Sequence, residues 1–100
     1  MIKLFISQPM NGKTDEEILK ERETAVEEAR KALNDEVEVL ETFFDLEEGK
    51  KPLHYLAKSI EFLADADVVY FVEGWNKARG CRLEHMCALA YGVRCLYPPQ

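Results

Sequence analysis

A doubly wound α/β fold is what this 100-residue chain predicts: a four-stranded parallel sheet in the order 2-1-3-4, sandwiched between helical layers. Three observations carry that expectation. Short β-branched and aromatic runs alternate with longer segments whose apolar residues recur at helical spacing. The strongest of those runs, Asp67 to Val72, is apolar without alternation, as a strand buried on both faces must be. Strands separated by helices join in parallel through right-handed crossovers.

Ile2 to Ile6 reads as the first strand, ending in the turn-rich Ser7–Gly12 loop. Thr14 and Glu17 then match a capping box, with Thr14 as the cap and Glu17 reaching back. The helix they open runs to about Leu33, with Ile18, Ala25, Val26, Ala29 and Leu33 on one face, and Asn34 and Asp35 stop it. Val37 to Thr42 is a short second strand, followed by Phe43, Phe44, Asp45 and a solvated charged loop through Lys51. Pro52 suits the first position of a helix whose Leu53, Leu56, Ile60 and Leu63 face inward. After the third strand, Leu83, Met86, Cys87 and Ala90 recur at helical spacing and Gly92 ends that helix. Val93–Leu96 is the fourth strand, closed by Pro98 and Pro99. The whole, residues 1–100, reads as one domain.

Composition narrows the function classes. A formal net charge of −6 argues against general binding to nucleic acids or anionic membranes. No apolar run approaches the ~20 residues of a membrane span, and the first residues turn polar too quickly for a secretory signal. Three cysteines are an odd number without metal-ligand spacing, which points to a reducing cytoplasm. Neither a metal nor a cofactor is expected.

The chemistry concentrates between Gly74 and Gly92. A glycine-bounded loop running from a strand end into a helix presents free backbone N–H groups and a positive dipole end, which suits an anion. Lys77, Arg79 and Arg82 stand there, with Glu84 in the first helical turns. A carboxylate near three cations is expected to stay ionised at neutral pH, the state a nucleophile needs. Ligands of such sheets bind outside the carboxyl ends of the strands. That edge carries Ser7, Gln8, Pro9, Met10, Asn11 and Gly12 after strand one, Asp45, the stretch Glu73–Arg82 with Trp75 and Gly80, and Tyr97. Asp65 and Asp67 lie at the opposite end of strand three, ~16 Å away, and read as helix-end and strand-entry residues.

Three stretches carry a resemblance: Phe5-Ile-Ser-Gln-Pro-Met-Asn-Gly12, Ala66-Asp-Val-Val69, and Gly80-Cys-Arg-Leu-Glu84-His-Met-Cys-Ala-Leu-Ala-Tyr-Gly92. Together they resemble the nucleoside 2-deoxyribosyltransferase-like family over nearly the whole chain. Relatives of that kind transfer a deoxyribosyl group between bases or hydrolyse nucleoside 5′-monophosphates. The resemblance implies Glu84 as the nucleophile, in the family's Gly-x-x-x-Glu frame. It also implies sugar and phosphate contacts from Ser7–Gly12, a nucleoside or nucleotide ligand, and a homo-oligomer whose neighbouring subunit completes the site. Two positions depart from the pattern. Many relatives carry Asp or Ser six residues before the glutamate, where this chain has Ala78, and hydrolase relatives place an acid where it has Ser59.

The implied chemistry asks for a carboxylate on one face of the anomeric carbon and an acid for the departing base, ~5 Å apart in retaining enzymes. Glu84 fills the first role. Glu73 is the first choice for the second, Asp45 the reserve, while His85 points ~100° away from Glu84 around the helix. Structural readings stand beside the functional ones: Glu84 as a helix-dipole residue rather than a nucleophile, Arg79 and Arg82 as ion-pair formers rather than phosphate binders, Trp75 as a core or interface residue rather than a stacking partner of a base. A non-catalytic nucleotide-binding or sensing module of the same fold is the alternative function.

Overall fold

The computed structural model describes residues 1–41 and 51–99. Strands β1 (Ile2–Ser7), β2 (Val37–Val39), β3 (Val68–Phe71) and β4 (Arg94–Leu96) form one parallel sheet in the order β2-β1-β3-β4. Helix α1 (Asp15–Leu33) covers one face, and helices α2 (Pro52–Ala64) and α3 (Arg79–Ala90) cover the other. The architecture and strand order are those the sequence predicts.

Alternation along β1 and β3 divides the core in two. Leu4, Ile6, Val68, Tyr70 and Val72 meet Ala25 and Ala29 of α1. Phe5, Val69 and Phe71 meet Leu63 of α2 and Ala88 of α3. Ala29 and Ala88 have no exposed surface, so each marks where a helix backbone lies closest to the sheet. Thr14 and Glu17 form the expected capping box, the Glu17 N–H donating to Thr14 Oγ1 at 3.1 Å, and such caps contribute about 1 kcal/mol. Asn34 ends α1 in the left-handed region at φ 51°.

Several boundaries and faces differ from expectation, each for a local reason. β2 stops at Val39 rather than Thr42, although the Leu40 N–H still donates to Leu4 O at 2.8 Å; Thr42 and Asp45 lie outside the described residues. β4 begins at Arg94 because the Val93 N–H is already bonded to Ala88 O at 2.9 Å, closing the end of α3. α2 meets the sheet only through its C-terminal half, so Leu53 is 72% exposed instead of facing inward. α3 is rotated from its predicted phase. Its buried residues are Cys81, Glu84 and Ala88, whereas Leu83 and Met86, expected on the inner stripe, are exposed. Asp67 does sit at a strand entry, exchanging 2.8 and 2.9 Å hydrogen bonds with the Lys3 backbone. No helix among the described residues is long and apolar enough to cross a membrane.

Candidate functional site

β1 ends on the carboxyl edge with Ser7, whose side chain lies on the α2/α3 face beside that of its register partner Phe71. The rotation of α3 brings Glu84 to the same spot, and Ser7 Oγ donates to Glu84 Oε1 at 2.6 Å. Both residues are buried. Ser59 of α2 hydrogen-bonds the same carboxyl, so strand and helix hydroxyls converge on one acid. Burial pushes Glu84 up to about 7, and the two hydroxyl bonds offset only part of that push. Cys81, one turn earlier, is pushed up by burial to about 11 with a bond to Ser7 opposing, so it is a neutral thiol at neutral pH.

This corrects the electrostatic expectation. Lys77, Arg79 and Arg82 do not hold Glu84 ionised; its environment is set by burial and two hydroxyls. All three cations are exposed, and none forms an ion pair with a described residue. They stand around a 3₁₀ turn (Trp75–Lys77) and the start of α3, whose Ala78 cap offers no side-chain acceptor to the first N–H groups. Gly74, at φ 90°, lets the chain turn out of β3 into that 3₁₀ turn with the Trp75 N–H on Val72 O at 3.0 Å. Gly80 is exposed inside the first turn of α3, with open space where a Cβ would point.

The loop after β1 is pinned from behind. Gln8 Nε2 donates to Ile18 O at 2.8 Å and to Glu21 Oε1 at 3.0 Å, and Lys13 Nζ reaches the same carboxylate at 2.8 Å. Those two donors outweigh burial and hold Glu21 below its ordinary value. Gln8 is therefore buried as a brace, Pro9 and Met10 are half-buried, and Asn11 and Gly12 reach solvent.

Glu73 is not brought to Glu84. It lines a groove of about 470 Å³ on the α1 side, with Glu17, Glu21, Glu28, Tyr70 and Pro99. Four carboxylates against Lys20 make that groove unsuited to a phosphate.

Sequence reasoning missed two features of the Glu84 face. Ser59, noted only as a departure, bonds the central carboxyl. Trp75, Phe71, His85 and Tyr97 form a single aromatic cluster, with His85 Nε2 and the Tyr97 hydroxyl 2.8 Å apart. Parity along β3 and β4, which sets Tyr97 level with Phe71, is the signal that finds the second. Arg22 was also unforeseen: it is buried on α1, where burial lowers its pKa and the Glu41 charge opposes the shift.

Comparison with curated proteins and with solved structures finds no match. A family model described as "Domain of unknown function (DUF4406)" matches residues 2–97, nearly the whole chain, and the chain belongs to that family.

Proposed function

We propose that this protein cleaves or transfers the N-glycosidic bond of a nucleotide through Glu84. The observation that carries the reading is a buried carboxyl at the carboxyl edge of a parallel sheet, bonded by Ser7 at 2.6 Å and pushed up by burial to about 7. Such a group is half ionised at neutral pH, and hydroxyl donors hold the carboxylate in one orientation. In the proposed step a Glu84 oxygen attacks the anomeric carbon, and the bond to the base breaks with its electron pair leaving on nitrogen. The departing base takes its proton from solvent water, and the hydroxide left behind is neutralised when the second step releases a proton. Water or a second base then attacks the glycosyl ester, releasing product and the carboxylate. Glu73 stands apart in the acidic groove, and Asp45, the other candidate acid, lies outside the described residues.

The resemblance to nucleoside 2-deoxyribosyltransferase-like proteins supports this reading, with Glu84 in their Gly-x-x-x-Glu frame. Lys77, Arg79 and Arg82 support a 5′-phosphate: they are exposed at a helix N-terminus without ion-pair partners among the described residues. Self-association fits as well, since α3 exposes Leu83, Met86 and Leu89, and its C-cap Tyr91 beside them, a surface that a second copy would cover. Three free cysteines fit a reducing cytoplasm. The non-catalytic alternative, a nucleotide-binding or sensing module, draws support from Glu73's separation from Glu84.

The test is a screen of nucleosides and 5′-monophosphates for release of free base. An enzyme turns over, whereas a binding module only gains thermal stability. Monophosphates are expected to bind at least tenfold tighter than their nucleosides, about 1.4 kcal/mol, with the difference eroded by salt. Equal affinities at low salt would remove the phosphate site.

A further inference from the structure

The groove of about 470 Å³ on the α1 side is built differently from the Glu84 face. Its floor is apolar, with Tyr70 and Val72 from the β3 side, Ala25 from α1, and Pro98 and Pro99 after β4. Its wall is charged. Glu17, Glu21 and Glu28 fall on one face of α1 and run ~16 Å along it, and Glu73, just past β3, joins them. Among the described residues no three such side chains gather closely enough to hold a metal ion. The negative charge is therefore spread along the groove and not collected at a point.

Two of the four carboxylates are already engaged. Lys13 Nζ lies 2.8 Å from Glu21, and Glu17 accepts the Thr14 N–H at 3.2 Å in the capping box. Glu28 and Glu73 form no ion pair with a described residue, and Lys20, the one cation of the lining, pairs with neither. Tyr70 is the second sign of a missing occupant. It is 5% exposed, with its side chain in the core beneath α1, yet its hydroxyl has no hydrogen-bond partner among the described residues. That oxygen is not sealed inside the protein, so it opens into the groove that Tyr70 lines. Burial and the Glu28 charge push Tyr70 up, so the phenol stays neutral and its oxygen accepts an N–H. A nearly buried hydroxyl without a partner carries a cost that a ligand donor removes.

We propose that this groove binds a linear aliphatic polyamine, with ammonium groups on Glu28 and Glu73, an N–H donated to the Tyr70 hydroxyl, and methylenes along Val72 and the two prolines. Separated carboxylates over an apolar floor call for separated positive charges joined by an apolar chain. The volume is that of a small-molecule site. A basic peptide matches the charge less well in other respects, because it brings backbone carbonyls and Pro98 and Pro99 have no N–H to offer them. The site lies on the opposite face of the sheet from Glu84 and is independent of the nucleotide reading.

Calorimetry at low salt with two trications, linear spermidine and compact hexaamminecobalt(III), tests the site in the wild-type protein. Spermidine is expected to bind saturably and about tenfold tighter than the cobalt complex, which feels only the net charge. Glu28→Gln and Glu73→Gln should each weaken spermidine by about tenfold, and Tyr70→Phe, which removes only the hydroxyl, by about threefold. Glu61→Gln makes the same change in net charge on the exposed side of α2, and it should leave the affinity unchanged. Glu84→Gln, on the other face, should leave it unchanged as well. Equal affinities for the two trications overturn the proposal, because the attraction is then to net charge alone. An equal loss in Glu28→Gln and Glu61→Gln does the same. Tighter binding of trilysine than of spermidine assigns the groove to a basic peptide and overturns the polyamine. The comparison of the two trications needs no variant, so it decides the matter even if a substituted chain fails to fold.

Discussion

Helices α1 and α3 pack against the same sheet from opposite sides and choose their inner residues by different rules. α1 buries Ile18, Ala25 and Ala29, the apolar stripe its sequence advertises, and beside them one charged residue, Arg22. α3 buries Cys81, Glu84 and Ala88 and turns Met86 and Leu89 outward at 64% and 60% exposure. Burying a carboxyl while exposing methionine and leucine opposes both the hydrophobic effect and the desolvation cost of charge. A helix set that way either serves a ligand on its inner side or has a partner on its outer side. The proposed chemistry lies on the α3 side.

The largest way to sharpen this contrast is to remove the charge from the inner face of α3. Below pH 4.5 the Glu84 carboxyl is protonated in both the folded and the unfolded chain, and its burial carries no ionic cost. As pH rises toward about 7 the unfolded chain ionises first, so the folded state loses stability, and above that the loss is complete. The gap between 4.5 and about 7 corresponds to about 3 kcal/mol. Glu84→Gln should therefore raise the melting temperature at pH 8, with the gain fading to nothing by pH 4.5. An unchanged melting temperature at pH 8 would mean that the carboxylate is not desolvated.

A smaller effect, about 1–3 kcal/mol, is expected from overpacking where each helix touches the sheet. Ala29→Leu and Ala88→Leu should destabilise by similar amounts in urea unfolding, since both residues are fully buried against strands. If only Ala29→Leu destabilises, α3 is not seated on the sheet and its altered phase loses its cause.

The smallest change in fold stability, within about 0.5 kcal/mol, is expected from Met86→Ser combined with Leu89→Ser, because both side chains are exposed. Their effect should appear in assembly instead. Light scattering is expected to show an oligomer for the wild-type protein and a smaller species for the double variant. A wild-type monomer at working concentration would remove the second copy from the account.

The same contrast marks what was legible in the sequence. α1, its capping box and its Asn34 stop were readable because burial and local hydrogen bonding agree there. The strand order followed from alternating strands and helices joined by right-handed crossovers in a doubly wound sheet. The phase of α3 was not readable, since a period of apolar residues assumes that the apolar side is the inner one. Glu84 itself stood out by its Gly80 frame, yet its ionisation was misjudged. Proximity of Lys77, Arg79 and Arg82 along the chain is not proximity in space, and all three point to solvent. Glu73 looked placed for the acid role by its position after β3, but it lines the groove on the other face. The aromatic cluster depends on cross-strand register, which sets Tyr97 level with Phe71.

The rate of base release from 2′-deoxynucleoside 5′-monophosphates between pH 5 and pH 9, by the wild-type protein and by Glu84→Ala, tests the central claim most directly. In the proposed reaction the carboxylate form attacks, so the wild-type rate should rise through about 7 to a plateau. At pH 6 it should be about a tenth of the plateau value. Glu84→Ala, which also loses the ionic cost of burial and so stays folded, should fall by ~10³-fold or more at every pH. Wild-type turnover retained in a folded Glu84→Ala variant would contradict the account.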